Sequence, residues 1–586
     1  MSNMSWVPEE LAVGRGDPVY MAHGYLTKVP VPAIVPFIEA YTRPGEVVVD
    51  PFAGSGMTGV AAAALGRRAR LFDISVLGRH IGRNYVNLVD RNLLVKQAAE
   101  VVRAARERLA DVYGIECRAC GQTAQLVKTI WSFQIACSGC GRPVSYYRAM
   151  EAAGWSKREM KCPGCGSGVV SRDTRVGEVA EVDCVACDCS SKQREQPASP
   201  CLMPIDLDEM PYPRVEITPD RQMYKAQALG RSGLTSVASF YAPRNLAVLT
   251  VLHDQIGRVE DAALRQKLLF VFTSILTRAS KRYQWSPVRP LNAANANYYV
   301  ASVFYEWNVF DLFERKVEAM IRSDDWLRSM QSDDTLFEEI QHDLDVTYEL
   351  SSAEAIPLPD ASVDYVFTDP PFGSNLFYAD MALFQEAWLD GFTDVSQEAV
   401  VDRGARKQRS ASRYERMLTQ ALNECRRILK PGGHISMVFG NSTGRMWSLV
   451  QRSIQNAGLV IEPDHLVVLN KGQRSVKGLA SGFEHVATLD LIMTMVPNRA
   501  EPRPFLVPTQ DLLVEATRLA AAGGGALSSP SHIYLELLRR GIREHWDLSE
   551  VDLRVVTRTL IADGWTVEES TGYLRKDPPG GVYETL

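Results

Sequence analysis

A glycine-rich turn and two acidic residues, one at its start and one after it, are the first candidate functional residues of the chain. The turn reads Asp50-Pro51-Phe52-Ala53-Gly54-Ser55-Gly56, and small residues let backbone approach a bound molecule closely. The second acid, Asp73, follows further along the chain, and a carboxylate at that place suits the two hydroxyls of a ribose. These residues predict a site for a cofactor that contains ribose.

The cysteines form a second chemical group, because ten of the eleven fall between Cys117 and Cys201. In a cytosolic enzyme such clustering predicts metal rather than disulfides, and two thiolates separated by two residues can reach one ion. Similar intervals between the pairs favour two structural zinc ribbons in series: Cys117, Cys120, Cys137 and Cys140, then Cys162, Cys165, Cys184 and Cys187. An interleaved pairing stays open. Cys189 and Cys201 are spare, and Cys189 could replace Cys187.

Short apolar segments place the acidic residues at strand ends. Val47–Val49 is a β-branched run before the glycine-rich turn, and residues 60–65 begin a helix after it. Leu71–Asp73, Val346–Leu350 and Val363–Thr368 are three further strands. Strands that alternate with helices predict an α/β fold, in which ligands bind at the carboxyl ends of the strands.

A second acidic turn, Asp369-Pro370-Pro371-Phe372, directly follows the last of these strands. Together with Phe52-Ala53-Gly54-Ser55-Gly56 it resembles the amino-methyltransferases, which methylate exocyclic amines of nucleobases with S-adenosylmethionine. The resemblance implies a Rossmann-like class I methyltransferase sheet. It also implies that the cofactor is held by Lys28, Asp50, Phe52, Ala53, Gly54, Ser55, Gly56, Thr58, Asp73, Ser352 and Ala353. Lys28 enters because His23–Pro30 resembles the family's segment beside the methionine end; a segment that only caps the sheet is the alternative.

The resemblance also assigns the catalytic residues Asp369, Pro370, Pro371 and Phe372. Asp369 accepts one N–H of the amine, the Pro370 carbonyl accepts the other, and Phe372 stacks on the base. A base reached in this way must be flipped out of a duplex or already unpaired. The family more often has Tyr at the position of Phe372, which leaves base and polymer open.

The function expected first is N6-adenine methylation of DNA, as the modification component of a restriction or phage-defence system with protein partners from it. Tyr241–Leu246 loosely resembles large defence-associated adenine-specific methylases. Methylation of N4-cytosine or of an RNA base is the alternative reaction. A zinc-ribbon nucleic-acid binder with an inactive methyltransferase domain is the alternative of another class.

Five regions follow from these assignments, because roughly 270 residues separate the cofactor strands from the catalytic turn, enough for an extra domain. They are the cofactor-binding half (1–110), two zinc ribbons (111–200), a helical target-recognition insertion (201–345), the catalytic half (346–498) and a small winged-helix-like domain (499–586).

Composition excludes some other classes. The net charge of −6 argues against a uniformly basic surface, although local patches can still bind nucleic acid. The absence of a run of about 18 apolar residues predicts no membrane span. The N-terminus lacks a signal pattern, so we expect a cytoplasmic protein.

Two basic segments suit contact with a phosphate backbone and unstacked bases, although solvated helix faces look similar. The first interleaves cations with aromatics: Arg278, Lys281, Arg282, Tyr283, Trp285 and Arg289. The second is the densest basic run of the chain: Arg403, Arg406, Lys407, Arg409, Arg413 and Arg416.

Overall fold

The computed structural model describes residues 7–14, 16–171, 174–199, 206–226, 229–287, 298–331, 344–373, 376–402, 409–471, 489–498, 500–501, 503–507, 511–522, 529–568 and 573–576. Their strands are β1 (Glu10–Ala12), β2 (Val47–Asp50), β3 (Arg68–Asp73), β4 (Gly114–Glu116), β5 (Thr123–Ala136), β6 (Pro143–Ser145), β7 (Arg175–Cys187), β8 (Ser190–Pro197), β9 (Val303–Trp307), β10 (Val346–Leu350), β11 (Val363–Thr368), β12 (Leu429–Phe439), β13 (Leu459–Asn470), β14 (Leu489–Pro497), β15 (Trp565–Val567) and β16 (Leu574–Lys576).

The helices are α1 (Pro18–Ala22), α2 (Val31–Tyr41), α3 (Met57–Ala64), α4 (Val76–Val86), α5 (Arg91–Leu109), α6 (Tyr146–Ala152), α7 (Gln222–Ala226), α8 (Leu229–Ser232), α9 (Pro243–Gly257), α10 (Ala262–Ala279), α11 (Val309–Gln331), α12 (Tyr378–Glu386), α13 (Ala411–Ile428), α14 (Gly444–Asn456), α15 (Leu512–Ala522), α16 (Pro530–Arg543) and α17 (Leu553–Ala562). Among the described residues, none of the helices combines the length and apolar character needed to cross a bilayer.

An eight-stranded sheet forms the centre of the molecule in the order β1-β13-β14-β12-β11-β2-β3-β10. The strands from β12 to β10 are parallel neighbours, whereas β14 runs antiparallel to β12 and β13. Val48 and Val49 are fully buried, as a sheet covered by helices on both faces requires. The expected mixed α/β fold is confirmed.

The chain changes direction across the sheet between β2 and β11. From β2 it passes through α3 to β3 on one side, whereas from β11 it continues to β12 on the other side. The loops after β2 and β11 therefore diverge, and such a point is where open α/β sheets form a ligand crevice.

A second sheet of six strands carries the cysteines. Its long strands β5 and β7 are antiparallel, and β9 pairs with β5 on the other side. Since β9 comes from the stretch predicted as helical insertion, the cysteine-rich and helical regions share one sheet.

The helical region also packs on the cofactor half. α9, α10 and α11 lie within the region expected to be helical (201–345) and contact α4 and α5. An interruption after residue 86 separates α4 from α5. Asp90 ends the interruption because its Oδ1 accepts from Leu93 N at 2.8 Å, which caps α5.

The C-terminal helices lie against the large sheet. α16 contacts β13 and β14, and its residues Ile533, Leu537 and Leu538 belong to the same buried cluster as the sheet. α17 and the β15–β16 hairpin follow, in the helix–helix–hairpin order that the sequence indicated.

Candidate functional site

The two acidic motifs meet at the carboxyl ends of β2 and β11. Thr368 Oγ1 donates to Asp50 Oδ1 at 2.9 Å, although the two residues are 318 positions apart. Thr58 Oγ1 donates to Asp50 Oδ2 at 2.6 Å, and Phe52 N donates to Oδ1 at 3.1 Å. Burial raises the pKa of Asp50 to about 7. Asp50 therefore joins the glycine-rich turn to both α3 and β11.

Two glycines shape this turn. Gly54 has a φ of +48° and donates its N–H to Asp73 Oδ2 at 2.8 Å. Gly56 has a φ of +79°, and a Cβ there would lie 2.6 Å from Gly82 Cα in α4. Residues with a side chain rarely adopt such φ values. The turn therefore needs glycine both for its backbone conformation and for its contact with α4.

A cavity of about 1020 Å³, part of it open to solvent, lies over these strand ends. It is lined by ten of the expected cofactor residues: Lys28, Asp50, Phe52, Ala53, Gly54, Ser55, Thr58, Asp73, Ser352 and Ala353. From the catalytic turn, Asp369 and Pro371 also line it, whereas Gly56, Pro370 and Phe372 do not. The structure thus brings both motifs to one cavity.

Asp73 lies at the end of β3 with its carboxylate facing the glycine-rich turn. Ser75 N donates to Oδ1 at 2.9 Å, and Gly54 N donates to Oδ2. Burial raises the pKa of Asp73, and these two backbone N–H groups oppose that rise. Each oxygen keeps a second lone pair that can accept from another hydroxyl.

Lys28 borders the cavity, but its ammonium group is engaged elsewhere. Nζ donates to the Tyr20 carbonyl at 2.6 Å and to the His23 carbonyl at 2.8 Å. Burial lowers the pKa of Lys28 to about 7. The Lys28 side chain therefore holds residues 20–28 together beside the cavity. A structural role of this kind is what the alternative of a segment that only caps the sheet predicts.

Asp369 contrasts with Asp50, because its Oδ1 is buried and has no hydrogen-bond partner among the described residues. Burial raises the pKa of Asp369 well above its usual value; Lys471 opposes the rise, and Asp490 and Asp50 add to it. Lys471 Nζ bonds Asp490 Oδ2 at 2.6 Å. A buried acceptor without a donor calls for an explanation, and a ligand N–H would satisfy it.

Neighbouring elements hold the turn after Asp369 in place. The Phe372 carbonyl accepts from Asn441 Nδ2 at 2.8 Å, and the Pro371 carbonyl accepts from Tyr414 Oη. The Phe372 ring packs edge-on against Phe439, with centroids 5.4 Å apart. β12 and α13 therefore fix the backbone of the turn.

Several wall residues were missed by the sequence analysis. Tyr378 lines the cavity, and its Oη lies 3.0 Å from Thr27 Oγ1, which closes the wall between the two halves. Glu398 also lines it, and burial raises the pKa of Glu398 to about 7. Lys471 and Asp490 meet because β13 and β14 are paired. The aromatic-rich stretch after Phe372 was the available signal for Tyr378.

Much of the two basic segments is structural. Arg409 is buried, with Nε 2.6 Å from Asp402 Oδ1 and a second ion pair to Glu398. Arg282 is buried over the Phe384 ring, and Lys281 Nζ lies 2.8 Å from a Glu178 oxygen. These three cations are therefore already paired or stacked. Residues Arg289, Arg403, Arg406 and Lys407 lie outside the described residues, and Arg416 is exposed.

Eight cysteine sulfurs form two groups of four, each within 4.8 Å. The outer group is Cys117, Cys120, Cys187 and Cys189; the inner group is Cys137, Cys140, Cys162 and Cys165. The expected pairing in series is therefore wrong, and Cys184 belongs to neither group. Cys184 lies within β7, and its Sγ donates to Gln193 Oε1 at 3.6 Å. Cys201 lies outside the described residues.

The β5–β7 hairpin explains this nesting. Antiparallel pairing brings the residues before β5 to the end of β7 and leaves Cys137–Cys165 at the far tip. The S–S distances of 3.5 to 3.8 Å fit the ~3.8 Å edge of a tetrahedron with metal–sulfur bonds of ~2.3 Å. Gly121, Gly141 and Gly166 have positive φ after their cysteine pairs. The Cys184–Cys187 pair has no such glycine, which was the overlooked signal.

Comparison with known proteins agrees with the cofactor side of the site. A family model described as DNA methylase, of the N6/N4 type, matches residues 10–91. The chain is 55% identical over 42 residues to the protein named "Putative methylase YubD" of Escherichia coli (strain K12). That match covers 7% of this chain and 18% of the relative. No solved structure matches the chain. The resemblance to the N6/N4 amino-methyltransferases is confirmed.

Proposed function

We propose that this chain, whose residues 10–91 match the N6/N4 DNA methylase model, methylates an exocyclic amine of a base in DNA. The methyl donor is S-adenosylmethionine, and the amine is N6 of adenine. The observation that carries the proposal is Asp369 Oδ1, a buried acceptor without a partner among the described residues, in the cavity that the matched turn also lines.

The cavity suits S-adenosylmethionine, which carries an ammonium and a sulfonium charge. Asp50, Asp73 and Asp369 line the cavity with pKa values raised by burial, and the Lys28 ammonium points its bonds at backbone carbonyls instead. Carboxylates in such a place gain from a cationic ligand, which favours their charged form. The cofactor supplies the electrophilic methyl group.

Each side of the cavity would hold one part of the cofactor. Asp50 and the turn from Phe52 to Gly56, with Thr58, lie where the methionine portion would bind. Asp73 accepts from the ribose hydroxyls, and Ser352 and Ala353 border the adenine. Gly56 acts through the close contact with α4, because it does not line the cavity.

The catalytic turn would orient the target amine. Its lone pair is delocalised into the base, so the enzyme must favour a tetrahedral nitrogen. Asp369 accepts one N–H and the Pro370 carbonyl accepts the other, which raises electron density on the nitrogen as positive charge develops. Phe372, backed by Phe439, stacks on a base flipped out of the duplex.

The rest of the architecture supports this assignment. The strand order, with β14 antiparallel beside β12, is what a Rossmann-like class I sheet would have. Residues 1–110 and 346–498 would form the two halves of this domain, with the insertion between them reading the target. Each cysteine group would hold one structural zinc ion.

Nucleoside analysis tests the proposal. The protein is incubated with methyl-labelled S-adenosylmethionine and either duplex DNA or total RNA, and the products are digested and identified by mass. N6-methyladenine from DNA is expected. N4-methylcytosine would show that the target base is cytosine and not adenine, and label confined to RNA would contradict the DNA assignment.

A modification role in a restriction or phage-defence system would add protein partners. DNA methylated by the protein should resist a restriction nuclease that recognises the same sequence, and a host whose DNA carries no mark would contradict this role.

A further inference from the structure

Aromatic rings gather on the surface beside the inner cysteine group. Trp155, Tyr147 and Trp285 lie with their ring centroids 5.2 to 5.3 Å apart. Tyr147 is buried, Trp285 is partly exposed, and 37% of Trp155 is exposed. An exposed indole next to a second one offers a stacking surface.

Trp155 adopts a backbone conformation that a large side chain rarely takes. Its φ is +68°, directly after Gly154 at +59°, and its N–H donates to the Met150 carbonyl at 2.8 Å. A glycine would meet the requirements of this helix end without strain. Strained backbone that presents an exposed ring points to a role for the ring itself.

Three cations follow Trp155 closely in the chain. Lys157, Arg158 and Lys161 are exposed and form no ion pair with any described residue. Arg148 differs, because it is paired with Glu151 and Glu181. The three unpaired cations are therefore available to an anionic polymer.

We propose that Trp155 and Trp285, with Lys157, Arg158 and Lys161, bind unpaired DNA outside the cavity. The indoles stack on bases, and the cations contact phosphates on either side of them. The inference rests on the proposed function only for the choice of DNA as the polymer.

A simpler explanation for the three neighbouring rings is that they only pack the inner cysteine group against the sheet. Tyr147 already serves that purpose, because it is buried and contacts both indoles. Trp155→Phe keeps a ring for packing and stacking, whereas Trp155→Ala removes both. Comparison of these two variants, each with its zinc content measured, therefore separates packing from binding.

Fluorescence anisotropy with labelled oligonucleotides tests the surface directly. The probes are single-stranded DNA, duplex DNA with one unpaired adenine, and RNA of the same sequence. Trp155→Ala should weaken binding of both DNA probes about tenfold or more, and Trp155→Phe about threefold or less.

Charge reversal is the second arm of the experiment. Lys157→Glu/Arg158→Glu/Lys161→Glu should weaken DNA binding at least tenfold and reduce its salt dependence. The matched control is Arg91→Glu/Lys96→Glu/Arg103→Glu on α5, whose side chains are also exposed. The control should change affinity less than twofold, and zinc content and S-adenosylmethionine affinity should not change.

Unchanged DNA affinity in Trp155→Ala and in the triple variant would overturn the inference, as would an equal loss in the α5 control. Loss of zinc together with affinity in Trp155→Ala but not in Trp155→Phe would assign the ring to packing, and binding of RNA alone would exclude DNA. DNA binding that depends on Trp155 without methyl transfer to any polymer would uphold the surface and contradict the proposed function.

Discussion

Three acids that line one cavity differ in how their oxygens are satisfied. Asp50 accepts from Thr58, Thr368 and a backbone N–H, and Asp73 accepts from two backbone N–H groups. Asp369 Oδ1 accepts from no described residue. The first two therefore shape the turn and its neighbours, whereas Asp369 is the one free to accept from a substrate.

Asp369→Asn should lower the rate of methyl transfer by at least about 100-fold, because an amide replaces an acceptor with a donor at one of its two positions. S-adenosylmethionine should still bind in calorimetry, with a loss of affinity far smaller than the loss of rate, although one of the three cavity carboxylates is neutralised. Asp464→Asn, at an exposed position on β13, is the matched control. Normal transfer by Asp369→Asn would rule out the proposed role of this acid.

The rate of transfer should depend on pH through Asp369. Burial raises its pKa, so the acceptor form is lost as pH falls through that raised value, and the single-turnover rate should fall with it. Lys471→Met removes the cation that opposes this rise and leaves Asp490 unpaired. The acidic limb should then move to higher pH.

Lys430→Met is the control for this shift. Lys430 Nζ bonds Asp364 Oδ1 at 2.6 Å near the start of β11, away from the cavity end of that strand. Its pH profile should match the unmodified protein. An unshifted profile in Lys471→Met would show that Lys471 does not control Asp369.

At the scale of elements, the β5–β7 hairpin decides which cysteine sulfurs lie together. Strand pairing places residues that are far apart in the chain side by side at the hairpin base, and residues close in the chain at its tip. In each group, the two sulfurs of one cysteine pair therefore lie close to the two sulfurs of another pair. Four sulfurs so placed are what a tetrahedral metal shell requires.

Metal analysis of single variants checks the nested arrangement. The purified protein should contain two zinc ions per chain. Cys189→Ser should lower the content toward one, because it removes a ligand of the outer group, whereas Cys184→Ser should keep two. Loss of zinc in Cys184→Ser with retention in Cys189→Ser would restore the pairing in series.

The C-terminal helices are connected to the catalytic turn by hydrogen bonds of Asn441, which follows β12. Tyr534 Oη in α16 donates to the Asn441 carbonyl at 3.0 Å, and Asn441 Nδ2 donates to the Phe372 carbonyl. The helices share the buried cluster of the large sheet. A winged-helix-like function for residues 499–586 stays a prediction, but their packing already supports the turn.

At the scale of the whole molecule, two histidines join the cofactor half to the helical region. His23 Nε2 lies 3.0 Å from Thr273 Oγ1 in α10, and His80 Nε2 lies 3.2 Å from the same oxygen. Burial lowers the pKa of His23 well below its usual value and that of His80 to about 4. Both rings are therefore neutral in the folded protein at neutral pH.

Acid should destabilise the protein through these rings. The unfolded chain binds protons below a pH of about 6.5, whereas folded His80 binds none until about 4, so stability falls as pH falls between these values. His80 alone should remove about 2 kcal/mol between pH 7.5 and 5. The raised pKa of Asp50 gives the opposite slope, so the test compares urea midpoints of the unmodified protein and His80→Gln at both pH values. Equal pH dependence in the two proteins would contradict this account.

The sequence by itself determined the strands before each acid, the glycines with positive φ, and the presence of paired cysteine ligands. These features follow from local causes, such as β-branched runs, backbone conformation and the reach of two thiolates. The roles of Asp50, Gly54 and Asp369 at the site were predicted from the resemblance instead, without the fold. The resemblance assigned Phe372 too, but its ring position relative to the cavity was not predictable.

Only the tertiary structure decided the partners that come from distant segments. Strand pairing nested the cysteine groups and brought Lys471 to Asp490 beside Asp369, while burial paired Arg409 with Glu398 and Asp402. A residue type shows which bonds a side chain can form. Which bond it forms depends on the neighbours that the sheet and its covering helices place around it, and these lie up to hundreds of positions away in the chain.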